Sequence, residues 1–110
     1  MRRLAPFYSK GPDLVVFNDV EPVKFNSWKE FADAESKIMA KFLWWKNTPR
    51  NLMIRVWDEV ALSTATPTLT GESKSRKKYR LTLRHTAVWR KERGRWLIMH
   101  DHWSIPWPSS

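Results

Sequence analysis

The strongest constraint on the fold of this chain is a pair of long alternating segments near its C-terminal end, Tyr79–Arg90 and Arg95–Ile105, separated only by a short turn containing Gly94. Segments of this length and period read as strands, and so short a connection forces them to be antiparallel neighbours. A three-residue turn, Glu92-Arg93-Gly94, with glycine in the left-handed position is a common solution. It sets Lys91 opposite Arg95, Val88 opposite Ile98, Ala87 opposite Met99 and His85 opposite Asp101. One face then carries Leu81, Leu83, His85, Ala87, Trp89, Leu97, Met99, Asp101 and Trp103. The other carries Arg84, Thr86, Val88, Arg90, Trp96, Ile98, His100, His102 and Ser104. A four-residue turn would regroup the faces, because side chains alternate with period two.

The rest of the chain supplies partners for this hairpin. Leu14-Val15-Val16-Phe17 is a short apolar run suited to a buried strand, and Val23-Lys24-Phe25 reads as a second. Residues 2–9 resemble the tail of a helix ended by Gly11-Pro12. Ser27 and Glu30 have capping-box spacing, and Trp28, Phe31, Ala34, Glu35, Ile38, Phe42 and Trp45 follow a period near 3.6, which predicts a helix over 28–44. All but Glu35 in that stripe are apolar. Beyond Pro49 the pattern predicts strands over 51–57 and 60–69, with Asp58-Glu59 as a turn and Pro67 at an edge or bulge, since proline cannot donate to a ladder. Residues 71–78 read as a loop. With 110 residues the chain forms one domain over 1–110, of α+β class: a four- to six-stranded antiparallel sheet with one long helix packed on it.

Several classes are excluded or disfavoured. There is no cysteine, so disulfides, thiolate metal sites and a cysteine nucleophile are excluded. No apolar run approaches 18 residues, so no membrane-spanning helix is expected. The first residues lack the apolar stretch of a signal peptide, and a cytoplasmic location is expected. The net charge is +9, and residues 72–95 hold ten Lys and Arg against Glu72 and Glu92. Such a patch can bind nucleic acid or keep a hairpin tip solvated. Residues 73–78 contain no aromatic to stack on bases, which favours the solvated loop.

The residues Val88-Trp89-Arg90-Lys91-Glu92-Arg93-Gly94-Arg95-Trp96, followed by His100-Asp101-His102-Trp103-Ser104, resemble the end of the association (hub) domain of calcium/calmodulin-dependent protein kinase II. Asp13-Leu14-Val15-Val16-Phe17 before an aromatic-rich helix looks like bacterial SnoaL-like proteins. Both belong to the nuclear transport factor 2-like superfamily, with ketosteroid isomerases and polyketide cyclases. The resemblance covers residues 1 to about 107. It implies a curved sheet forming a cone with helices in its mouth, here with truncated N-terminal helices, and self-association as a homodimer or larger oligomer to cover the gap.

For function, the sequence offers His85 and Asp101 as a cross-strand pair in which a carboxylate orients an imidazole for proton transfer; a purely structural hydrogen bond is the alternative. Trp103, Met99, Trp89 and Trp28 would wall an apolar pocket, the resemblance assigning Met99 and Trp103 to the family's ligand wall. Asp19 lies where the resemblance puts the general base of ketosteroid isomerases, although its flanks match only loosely. Thr86 stands in place of that family's acidic donor, and Tyr8 is a poor stand-in for its tyrosine. Ala87 and Trp103 occupy the positions of the hub domains' pocket arginines, which favours an apolar ligand over an anion. His100-x-His102 has a spacing zinc can use, but no third ligand is evident, so neither a metal nor a cofactor is expected. These features make a small-molecule-binding protein, with isomerase-, dehydratase- or cyclase-type proton transfer, the first reading. A non-catalytic hub-like assembly module is the second, and nucleic-acid binding through residues 74–80 the third.

Overall fold

The computed structural model describes residues 7–18 and 24–106. Its elements run β1 (Val15–Phe17), α1 (Trp28–Met39), β2 (Phe42–Thr48), β3 (Met53–Trp57), β4 (Val60–Ala65), β5 (Thr68–Ser73), β6 (Lys78–Thr82), β7 (Arg84–Glu92) and β8 (Arg95–Ser104). The strands form a five-stranded sheet in the order β1-β8-β7-β4-β3 and a three-stranded sheet in the order β2-β5-β6. This is the expected α+β architecture: a curved, open sheet with one helix among the described residues.

The curvature arises where two long strands change sheets. The segment expected as one strand over 60–69 breaks at Thr66-Pro67 into β4 and β5, and the segment expected over 79–90 breaks at Leu83 into β6 and β7. The two breaks face each other, with the Leu83 amide donating to the Pro67 carbonyl at 2.9 Å. Proline, lacking its own amide hydrogen, suits a position where the ladder is interrupted. β5 also extends into the expected 71–78 loop, leaving 74–77 as its turn.

The hairpin at the centre of the large sheet differs in register from the expectation. Glu92 pairs with Arg95, so the turn holds only Arg93 and Gly94. Both have positive φ, 52° and 78°, as a type I′ turn requires. Further along, Val88 faces His100 while Trp89 faces Ile98, and Met99 is the extra residue of a β-bulge. Beyond the bulge His85 faces Trp103 and Ala87 faces Asp101. The slip from the expected pairing is two residues there, which preserves the faces: His85 and Asp101 stay on one side as diagonal neighbours. At the bulge the roles do change, and Ile98 rather than Met99 joins the core.

β1 is parallel to β8, with Val15 opposite His100 and Phe17 opposite His102, so the sheet is antiparallel except at this edge. The expected second strand is reduced to a bridge between Phe25 and Val16; Val23 lies outside the described residues. So do residues 2–6 of the expected N-terminal helix tail over 2–9, and Tyr8 within it forms a parallel bridge with Ile98.

α1 begins as expected. The Ser27 hydroxyl accepts from the Glu30 amide at 3.2 Å, and the Glu30 carboxylate reaches back to the Asn26 amide at 3.2 Å. It ends five residues earlier than the period suggests, at Met39. Phe42-Leu43-Trp44-Trp45 is a continuous run of strand-favouring bulk, and such a run satisfies either period. It becomes β2 and lies against β5 at Gly71, where a Cβ would sit 3.0 Å from the Trp44 carbonyl and 3.2 Å from the Phe42 ring. Glycine thus permits the close approach. The core joins Leu14, Val16, Phe25, Phe31, Ala87 and Ile98 beneath the helix, with Trp28, Ala34 and Trp89 packed against it.

Candidate functional site

A cavity of about 240 Å³ opens between α1 and the small sheet. The helix contributes Phe31, Glu35, Ile38 and Met39. The sheet contributes Phe42, Trp45 and Asn47 from β2, Leu69 from β5, and Tyr79 and Leu81 from β6. Tyr8, Asn18 and Trp103 close it on the side of the large sheet. The corner at Pro67 and Leu83 makes this space, because it turns β5 and β6 away from the core-forming sheet.

Behind Tyr8 and Trp103 lies a buried carboxylate. Asp101 is wholly inaccessible to solvent. Its Oδ2 accepts from the Tyr8 hydroxyl at 2.5 Å and from the Trp103 indole N–H at 2.9 Å, and lies 3.2 Å from His85 Nε2. The His85 ring stacks on Trp103, with centroids 3.9 Å apart. Asp101 Oδ1 is buried and has no hydrogen-bond partner. Three donors converging on one oxygen offset the cost of burying the carboxylate. Burial, then the negative charge of Asp101 and the bond to it, raise the Tyr8 hydroxyl far above the usual tyrosine range. Tyr8 therefore stays protonated and acts as a donor.

The sequence-predicted residues divide clearly. His85, Asp101 and Trp103 come together. Of the expected pocket wall only Trp103 lines the cavity. Trp28 packs tilted against Tyr8 with centroids 5.3 Å apart, beneath the Lys10 ammonium at 4.2 Å. Trp89 packs on the core and donates to the Ser63 hydroxyl at 2.9 Å. Met99 is buried at the bulge, and Ala87 is buried in the core. Asp19 lies outside the described residues. His100 Nδ1 is 2.7 Å from the Val15 carbonyl, and Phe17 packs edge-on against both His100 and His102. Among the described residues no three His, Asp or Glu side chains form a metal-binding group.

Two residues emerge that the sequence reading undervalued. Tyr8 is the phenol linking cavity to carboxylate, and nothing local in the sequence ties it to Asp101, 93 positions away. Glu35, the polar interruption in the apolar stripe of α1, lines the cavity and accepts a hydrogen bond from the Asn18 side-chain amide. In the basic segment, Arg76 pairs with Glu72 at 3.3 Å and the Lys77 ammonium sits 5.1 Å from the Tyr79 ring centre. No helix among the described residues is long and apolar enough to cross a membrane.

Comparison with known proteins agrees with this fold. A candidate calcium/calmodulin-dependent protein kinase II association domain from Xanthomonas campestris is 26% identical, covers 94% of this chain and 72% of its own, and superposes with a TM-score of 0.80. A candidate ketosteroid isomerase from Shewanella frigidimarina is 28% identical over 87% of this chain and 76% of its own, with a TM-score of 0.70. A candidate dehydratase from Streptomyces avermitilis, of the nuclear transport factor 2-like family, shares the fold at 17% identity over 86% of this chain and 69% of its own, with a TM-score of 0.74. No curated protein matches the chain. Solved structures of nuclear transport factor 2-like proteins share the fold; the family model of the SnoaL-like domain matches residues 1–108, and the chain accordingly belongs to the SnoaL-like domain family.

Proposed function

We propose that this protein binds a small, largely apolar molecule in the cavity beneath α1 and performs proton transfer of the isomerase or dehydratase type on it. The observation that carries this reading is the join between cavity and carboxylate: Tyr8 and Trp103 line the cavity, and both donate to Asp101 Oδ2. In this reading the single phenolic proton of Tyr8, held on Asp101 Oδ2 in the unliganded protein, turns to the ligand oxygen on binding, while the bonds from Trp103 and His85 continue to satisfy Asp101. Asp19, one residue beyond the cavity-lining Asn18, is the proposed base. The similar proteins described as a ketosteroid isomerase and a dehydratase support the reaction class.

The test has two arms. Titration with 2-naphthol should shift the Trp103 indole N–H resonance, and an unmoved resonance at millimolar probe would overturn the binding site. Cyclohex-3-enone should convert to its conjugated isomer faster with the protein than without, and Tyr8→Phe should slow that conversion by roughly 10²- to 10⁴-fold, the usual worth of a positioned acid or base. A rate indifferent to Tyr8→Phe and His85→Ala would leave a binding protein without this chemistry.

Self-association, at least as a homodimer, is the second proposal, and β3 favours it. Every residue of this edge strand is exposed, Ile54 and Trp57 by 61% and 56%, and it carries a single charge, Arg55. It has no proline or bulge to blunt it, and such edges are normally protected. The candidate association-domain relative supports the same reading. Light scattering on the eluting protein at about 100 µM should give at least twice the chain mass, and Ile54→Lys should lower it; a monomeric wild-type chain would refute the proposal.

A further inference from the structure

The small sheet has two faces, and the cavity uses one. Trp45, Asn47, Leu69, Tyr79 and Leu81 line the cavity, so the alternate residues of β2, β5 and β6 form the opposite face. There the register sets Trp44, Glu72 and Lys78 in one row, and Lys46, Thr70 and Arg80 in the next. Thr68 follows in the third row. Arg50 Nε donates to its hydroxyl at 3.1 Å, which brings a further guanidinium onto this face. Lys46, Arg50, Lys78 and Arg80 are exposed, and Trp44 is 49% exposed. Glu72 is the one acidic residue in the three strands, and Arg76 from the turn between β5 and β6 pairs with it at 3.3 Å. Among the described residues no carboxylate pairs with the other four cations.

The basic segment 73–78 has no aromatic of its own, but the fold supplies one, since β2 carries Trp44 into the row of Lys78. A face with five cations and one carboxylate complements a polyanion. The remaining groups select which polyanion. A flat, exposed indole gives an unpaired base a surface to stack on, and threonine hydroxyls beside the cations donate to phosphate oxygens. A duplex keeps its bases stacked on one another and leaves Trp44 idle. An anionic lipid surface is entered by several apolar side chains, and the paired rows hold none besides Trp44. We infer that the outer face of the small sheet binds single-stranded nucleic acid, with Lys46, Arg50, Lys78 and Arg80 on the phosphates and Trp44 under a base. This surface lies on the opposite side of the sheet from the cavity, and the inference does not rest on the binding or proton-transfer reading above.

The experiment follows the fluorescence anisotropy of a fluorescein-labelled strand of about twelve thymidines. Four phosphate contacts set the slope of log K against log salt at about −3, a loss of roughly fiftyfold between about 50 and 200 mM salt. Trp44→Ala should weaken binding roughly 5- to 150-fold at an unchanged slope, because it removes stacking and no charge. Lys46→Gln combined with Arg80→Gln should make the slope shallower by about 1.4. Lys91→Gln combined with Arg93→Gln removes the same charge at the tip of the β7–β8 hairpin and should leave the slope as it was. Equal losses from the two double variants overturn the inference, since the field of a basic chain then accounts for the binding. Where Trp44→Ala fails to fold, the Trp44 ring resonances of the wild-type protein take its place: they should move upfield as unlabelled strand is added, and unmoved resonances overturn the inference. So does the absence of binding to the strand at about 50 mM salt and 100 µM protein, whether or not phosphatidylglycerol vesicles bind under the same conditions.

Discussion

Replacing Asp101 by asparagine tests the buried array most directly. The substitution preserves shape and removes the charge that three donors share. A hydrogen bond to a charged acceptor contributes about 1.5–3 kcal/mol and one to a neutral acceptor about 0.5–1.5 kcal/mol, so each of the three bonds weakens by roughly 1 kcal/mol. The new amide group then falls at the Oδ1 position, where the native atom is buried without any partner. An unsatisfied buried donor costs a further 1–3 kcal/mol or so. Relief from burying a charge offsets part of this, leaving a net loss of about 3 kcal/mol. Against the roughly 5–15 kcal/mol of an ordinary domain, that is a large fraction. Urea unfolding, followed by both far-ultraviolet circular dichroism and tryptophan fluorescence, should show the midpoint falling by about 1–3 M at unchanged slope. Tyr8→Phe combined with Asp101→Asn should cost less than the two singly, because they remove the same bond. A variant within about 0.5 kcal/mol of wild type would refute the reasoning, since a change that small is what a substitution away from any such network produces.

Two other perturbations follow from local geometry. Tyr8 is held protonated in the fold, whereas in the unfolded chain it titrates at its ordinary value near 10.0, so above that pH the unfolded state binds fewer protons and stability falls. The contribution is fully present below pH 10, and by pH 11 the stability advantage of wild type over Tyr8→Phe should have shrunk by about 1.4 kcal/mol, measured by urea unfolding at pH 9 and 11; a constant difference would contradict the burial of the phenol. Gly94 has φ of 78° with nothing within 4 Å of the place a Cβ would occupy, so Gly94→Ala should cost about 1–2 kcal/mol from backbone strain alone, whereas Arg93→Asn, suited to the same left-handed region, should raise the melting temperature.

The parts of this fold and site that were legible in the sequence share a physical property: they survive an error of register. The faces of β7 and β8 depend only on whether a residue is odd or even in its strand, so His85 and Asp101 share a face whether the turn holds three residues, or two followed by a bulge. Met99 failed as a wall residue for the complementary reason, because the bulge falls on it and a single extra residue reverses the alternation on its far side. The end of α1 was illegible because Phe42 and Trp45 fit a helical period and a strand run equally well; what decides is Gly71, 29 residues after Phe42, which offers β2 a close seat. The same holds for the corner. Pro67 marks an interruption, but only its bond to Leu83 shows that two strands bend together, and that shared bend separates the small sheet from the large one and opens the cavity. Tyr8 and Glu35 then enter the site for opposite reasons. Tyr8 arrives by a contact across nearly the whole chain, which no local pattern encodes. Glu35 was visible as the exception in a hydrophobic stripe, and a charged group that a helix holds on its apolar face without a core to bury it against is better read as a mark of the space it faces than as noise in the pattern.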